Sequence, residues 1–310
     1  MLSRVRVKKI FKFEKADRPA IFDLYREDTI KKWNKEGFPK GLNPADYFDH
    51  DIRLFGFDQS LNSEAFAFER SLMDAPSSGE KLSEGYGRAK EAGKFLCFSF
   101  LGPFEHIRSI YGTETVLEKM ASEPAFIKAL FIKSARLIID AFTAARDMGY
   151  SFDGAWMWED IAYKDGLLFS VEDYIDKLFG PHKVICDFFK HENMPSIMHA
   201  DGNLNKMIPQ LLEVGIAAIH PLESAAGMDL LKLIDLCGNK MVLVGNVEPS
   251  IMKGGGKGTL KKIREKLRDA SRAGGYIYSS DQPISPDISL ENYKSVLALI
   301  KEEGSGCPSK

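Results

Sequence analysis

His199 and Asp201 stand two residues apart at the end of an apolar run and are followed by Gly202-Asn203. If Pro195–Met198 is a strand, alternation of side chains sends both residues to the same side. An imidazole and a carboxylate paired in this way can bind a metal, move protons or hold a polar substrate. A helix is expected from Lys206 onward, so the pair falls at the C-terminal end of a strand. That is where α/β barrels keep their chemistry.

Four other expected strands also end in polar groups: Trp158-Glu159-Asp160, His220-Pro221-Leu222-Glu223, Gly245-Asn246-Val247-Glu248 and Ser279-Ser280-Asp281-Gln282. In a barrel these ends and the His199 end would ring one face and form one site. Local roles compete with that reading. Glu159 and Asp160 can cap the segment that follows them, and Glu223 can cap a helix starting near Gly227. Asn246 beside Gly245 is also ordinary turn chemistry. His220 reads as packed rather than catalytic.

The elements needed to hold such a site are visible in the pattern. Apolar runs at Ala20–Tyr25, Lys94–Leu101, Gly154–Trp158, Pro195–Met198, Ala217–Pro221, Lys240–Val244 and Gly275–Ser279 read as strands, with a weaker eighth at Asp51–Phe57. Amphipathic stretches at Pro124–Met148, Val171–His191, Leu204–Val214, Met228–Leu236 and Leu260–Ala273 read as helices. Strands alternating with helices imply parallel βαβ units, and near-continuous apolar strands imply a sheet covered on both faces. The expected fold is α/β, a single (β/α)8 TIM barrel over residues 1–303, with a flexible tail at 304–310. Residues 61–93 read as a surface excursion between strands.

The chain has 310 residues with a formal net charge of −2, which gives no footing for nucleic acid or an anionic membrane surface. Neither a secretory leader nor a membrane-spanning run is seen, and the expected location is cytoplasmic. The basic start (Arg4, Arg6, Lys8, Lys9, Lys12, Lys15) reads as an amphipathic helix with a solvated charged face. Cys97, Cys186, Cys237 and Cys307 are widely spaced and read as buried or incidental thiols.

Taken together, several short blocks resemble one superfamily. They are Phe13-Glu14-Lys15-Ala16-Asp17-Arg18-Pro19, Glu36-Gly37-Phe38-Pro39 after Trp33, Gly102-Pro103-Phe104, Glu159-Asp160, His199-Ala200-Asp201-Gly202-Asn203, Pro221-Leu222-Glu223, Gly227-Met228-Asp229, Gly245-Asn246 and Gly274-Gly275-Tyr276-Ile277. Their order and spacing resemble the uroporphyrinogen decarboxylase superfamily, nearest its zinc-dependent, corrinoid-linked (methylcobalamin:coenzyme M methyltransferase-like) branch. The resemblance implies the same (β/α)8 fold. The decarboxylases' own arginine-rich block, R-x-P-V-W-x-M-R-Q-A-G-R, is present here only as its opening Arg18-Pro19. A polycarboxylate tetrapyrrole needs several such cations.

The methyltransferases place a His-x-Cys pair on one strand and a second Cys after the Gly-Gly-Tyr strand. Here His199 matches the first ligand, Asp201 stands at the first Cys and Gln282 falls near the second. The resemblance therefore implies a metal site of His199, Asp201 and Glu223, with zinc as the cofactor. His199, Asp160 and Asp201 would do the chemistry. Glu159, Asn246, Asp281 and Gln282 would contact a small-molecule substrate. A methyl group would pass between a small methylated compound or thiol and a corrinoid carried by a separate protein. Two alternatives stay open: a metal-free decarboxylase of the uroporphyrinogen type, and a degenerate barrel that only binds a small ligand.

Gly254-Gly255-Gly256-Lys257-Gly258-Thr259 imitates a phosphate loop, but Gly258 stands where the Ser/Thr must be, and a mobile loop before Leu260 is expected instead. No saturable ATP binding is therefore expected in equilibrium dialysis. Saturable binding abolished by Lys257→Ala would contradict this.

Overall fold

The structure, a computed structural model, describes residues 1–56, 85–270 and 274–303. Most of the expected 61–93 excursion, the 304–310 tail and Cys307 lie outside the described residues. The strands are β1 Ala20–Ile21, β2 Ile52–Gly56, β3 Phe95–Leu101, β4 Gly154–Trp158, β5 Ala162–Tyr163, β6 Gly166–Leu167, β7 Ser196–His199, β8 Ala218–His220, β9 Val242–Val244 and β10 Tyr276–Tyr278. Eight of them form one sheet in the order β1-β10-β9-β8-β7-β4-β3-β2, and β5 and β6 pair as a small antiparallel hairpin. With helices between the strands, this is the expected (β/α)8 TIM-barrel class.

The chain divides into two compact units. The first contains the described residues of Met1–Arg53, Gly93–Phe95 and Ile219–Lys310; the second contains those of Leu54–Ala92 and Leu96–Ala218. In the first unit, β1 runs parallel to β10 and β10 to β9. The basic N-terminal helix, Ser3–Phe11, buries Val7 and Ile10. It departs from expectation at Arg6, which is buried rather than solvated, while Val5 is exposed. Arg6 Nη1 donates to Asp51 Oδ1 (2.5 Å) and its Nε to Asp17 Oδ1 (2.6 Å). Arg18 Nη1 adds a 2.8 Å bond to Asp51 Oδ2. Burial works to raise the Asp51 carboxyl, but the two guanidinium groups outweigh it and hold it below the usual range.

The second unit is built on β3, β4 and β7. Residues 97–101 of β3 pair with 154–158 of β4, and Ala155–Trp158 of β4 pair with Ser196–His199 of β7, all in parallel. The expected helix at Val171–His191 is three pieces: Val171–Asp173, a π-helical turn Tyr174–Leu178, and Phe179–His191. Pro181 has no N–H and its ring opposes the carbonyl of Lys177, so the widened turn absorbs it. Proline also sets a boundary at Ile208–Val214, where Pro209 sits in the first turn. Expectation had started that helix at Leu204.

Two further boundaries differ in the first unit. Asp229 caps Leu230–Cys237 by accepting the Lys232 N–H (3.0 Å). The supposed mobile loop at Gly254–Gly258 is partly helix, since Gly256–Ala270 is one element. Its glycines are poor helix formers, and burial of Thr259, Ile263 and Leu267 offsets them. Cys97, Cys186 and Cys237 are buried free thiols.

Burial lowers the His106 imidazole to about 4, and its Nδ1 lies 2.7 Å from Ser134 Oγ. A folded-state value below the unfolded one means that the unfolded chain takes up the proton first as the pH falls. Stability is then lost between about pH 6.5 and pH 4. Urea unfolding across that range should show a shallower decline in His106→Gln than in wild type, by about one proton's linkage. Equal slopes would contradict the assignment.

Candidate metal centre

The second unit brings Asp160, His199 and Asp201 together. One ligand atom from each lies within 4.8 Å of the others. His199 Nε2 is 3.7 Å from Asp201 Oδ1 and 4.0 Å from Asp160 Oδ1. The grouping follows from register. Trp158 of β4 is the direct partner of His199 of β7, so the positions two residues beyond each strand also face one another. The peptide N–H of Glu159 donates to the His199 carbonyl (2.8 Å), which carries the pairing past the strand end. The Asp201 N–H then donates to Asp160 Oδ1 (3.0 Å) and fixes that carboxylate against the neighbouring chain. Gly202 turns the chain away at φ 90°, and a Cβ there would fall 2.5 Å from the Tyr163 carbonyl, so the β5–β6 hairpin needs glycine at this point.

Burial pushes the His199 imidazole down to about 4, against the opposing pull of the Asp160 charge. At neutral pH it is uncharged and has a lone pair to offer. Its ring centroid is 4.4 Å from that of Trp158, whose indole N–H is held by Ser99 Oγ (2.8 Å). Arg108 Nη2 stands 3.9 Å from Asp160 Oδ2 and bonds Glu105 on its own helix. The cluster therefore offers one nitrogen and two carboxylates, one counter-charge and an aromatic wall. No cysteine belongs to it.

The remaining sequence candidates have other surroundings. Glu159, expected at the substrate, is fully buried: Oε1 accepts from Phe104 N (2.9 Å) and His182 Nε2 (2.7 Å), and Oε2 from Glu105 N (2.9 Å). This is the capping alternative, made to an earlier helix, Pro103–Tyr111, rather than to the segment that follows Glu159. The group of possible ligands contains Asp160, and Glu223, expected as the third ligand, is not among its members. Glu223 lies in the first unit, where its carboxylate accepts the Gln282 side-chain amide.

In that unit Asp281 accepts the Ser224 N–H (2.9 Å). The Asn246 amide donates to the carbonyls of Leu222 (2.9 Å) and Met228 (2.6 Å). Its Oδ1 receives Lys266 Nζ (2.6 Å), and its φ is 64°. These bonds tie the Glu223, Asn246 and Asp281 segments to each other. His220 is buried edge-on to Phe22, with Nε2 3.1 Å from Ser279 Oγ. His182 and Tyr174 were missed in the sequence reading; both lie inside an ordinary amphipathic pattern that carries no mark of a partner.

Comparison with known proteins agrees with the fold. The family model for uroporphyrinogen decarboxylase (URO-D) matches residues 88–303. A uroporphyrinogen decarboxylase of Campylobacter hominis is 29% identical over 126 residues, which is 39% of this chain. The chain spans only 34% of the length of that relative. A methyltransferase from Methanosarcina mazei has the same fold, with a TM-score of 0.67 at 15% identity over 98% of this chain and 99% of that one. On the extent of the family match, the chain belongs to the uroporphyrinogen decarboxylase (URO-D) family.

Proposed function

We propose that this protein is a metal-assisted methyltransferase, with Asp160, His199 and Asp201 as ligands to one divalent ion, zinc by preference. The observation that carries the reading is the convergence of these three ligand atoms within 4.8 Å. Neutral imidazole and two carboxylates are competent zinc donors, and the oxygen-rich set suits activation of a methyl–oxygen bond better than tight thiolate binding. A bound ion supplies Lewis acidity to the leaving or attacking group.

The protein's part is positional. Asp201 N–H locks Asp160, the Trp158 ring walls the imidazole, and Arg108 balances the Asp160 charge. Asp281, Gln282 and Asn246, the other substrate candidates, lie in the first unit, where Asn246 and Asp281 are buried and hydrogen-bonded to neighbouring segments. The methyl group would be exchanged with a corrinoid carried by a separate protein, as the resemblance of the sequence blocks implies.

A decarboxylase acting without metal is the second reading, favoured by the family's name and the Campylobacter relative. One structural observation weighs against a porphyrinogen substrate. Arg18, retained from the decarboxylase arginine block, is committed to Asp51, as is Arg6. Neither is available to a tetrapyrrole carboxylate.

Titration of metal-free protein with zinc should show one site. His199→Ala and Asp160→Ala should each weaken it at least about tenfold, or about 1.4 kcal/mol. Asp201→Cys should bind more tightly than Asp201→Ala, because thiolate suits zinc. In parallel, methyl transfer from a small methyl ether to free cob(I)alamin, with release of the alcohol, should require zinc. Equal zinc binding by all variants would contradict the site, and turnover of uroporphyrinogen by metal-free protein would favour the second reading.

A further inference from the structure

Glu159 lies next to Asp160 in the chain but inside the protein. Glu159, His182 and Tyr174 have no exposed surface, and they form a chain: the Glu159 carboxylate to His182 Nε2 at 2.7 Å, then His182 Nδ1 to Tyr174 hydroxyl at 3.0 Å. The same carboxylate accepts the N–H groups of Phe104 and Glu105, at the start of the helix Pro103–Tyr111. Unsatisfied N–H groups and the positive end of the helix dipole favour an anion there. The fit is close, because a Cβ on Gly102 would fall 2.4 Å from Glu159 Oε2.

A buried acidic side chain is costly unless donors surround it, and an apolar plug could fill the space at lower cost. What the carboxylate does that a plug cannot is join three parts by directed bonds. Through its side chain it fixes the helix, and through the turn containing Tyr174 it fixes the following helical segment. Through its own N–H, bonded to the His199 carbonyl (2.8 Å), it fixes the strand that carries the imidazole. The helix it holds carries Arg108, which stays 3.9 Å from Asp160 because Glu105 retains it. A small rotation of that helix would change how closely Arg108 approaches Asp160 Oδ2, and with it the charge on the carboxylate whose Oδ1 faces His199.

We infer that Glu159, backed by His182 and Tyr174, is the positioning residue of the Asp160–His199–Asp201 centre: it holds the strand that carries His199 and sets the distance at which Arg108 stands from Asp160 Oδ2. The inference rests on the metal reading given above. The test uses cobalt(II) alone as probe, added to the full metal-free chain, with affinity, visible d–d spectrum and thermal midpoint measured together.

Glu159→Gln keeps the shape but replaces one acceptor oxygen with a donor. It should lower cobalt affinity by about ten- to a hundredfold and change the d–d band while the protein remains folded. Tyr174→Phe should give a smaller loss, at least roughly threefold, through His182. Asp51→Asn, in the other unit, should lower the thermal midpoint and leave cobalt affinity and spectrum unchanged, which separates loss of stability from loss of positioning. Wild-type affinity and spectrum in folded Glu159→Gln would overturn the inference. If that variant does not fold, unchanged affinity in Tyr174→Phe would overturn it. Absence of cobalt binding by wild type would overturn the metal reading itself, and the positioning role with it.

Discussion

The parallel register of β4 against β7 is the constraint on which the candidate centre depends. Because Trp158 pairs with His199, the next outward positions on the same face are Asp160 and Asp201. A shift of one residue would turn the whole set to the opposite face. Two main-chain bonds beyond the strand ends, Glu159 N–H to the His199 carbonyl and Asp201 N–H to Asp160, continue the pairing where the ladder proper has stopped. Hydrogen bonding that holds the backbone thus also aims the side chains.

Charge is handled differently in the two units. In the first, Asp51 is buried, held ionised by Arg6 and Arg18 and fully used in packing. In the second, Asp160 and Asp201 stay partly exposed beside a buried, neutral imidazole. A buried and compensated carboxylate supports a fold. Two partly exposed carboxylates flanking a buried nitrogen form a donor set that could receive a cation. This difference is why the second group, rather than the first, is proposed as the metal centre, although both contain paired charges.

Much of this was legible in the sequence. Strand parity placed His199 and Asp201 on one side, and the apolar runs located the strands to within a few residues. What could not be read were contacts that depend on tertiary register. Asp160 joins the centre only because β4 lies beside β7, two elements some forty residues apart in the chain. Glu159 has the same residue type and setting as a surface acid. Its burial follows from a glycine at 102 that leaves room for its carboxylate and from a helix that starts just beyond. Arg6 likewise looked solvated because its periodicity could not reveal Asp51. The helix expected from Leu260 starts instead at Gly256, because glycine's local preference was given more weight than the burial of Thr259 in the preceding turn.

The central claim is that Asp160, His199 and Asp201 hold a single divalent ion together. Diffraction from zinc-loaded crystals, recorded above and below the zinc absorption edge, tests it directly. The account predicts one edge-dependent anomalous peak, about 2.0–2.2 Å from His199 Nε2 and from an oxygen of each aspartate. An anomalous peak on other ligands, or a site that stays without one at saturating zinc, would contradict it.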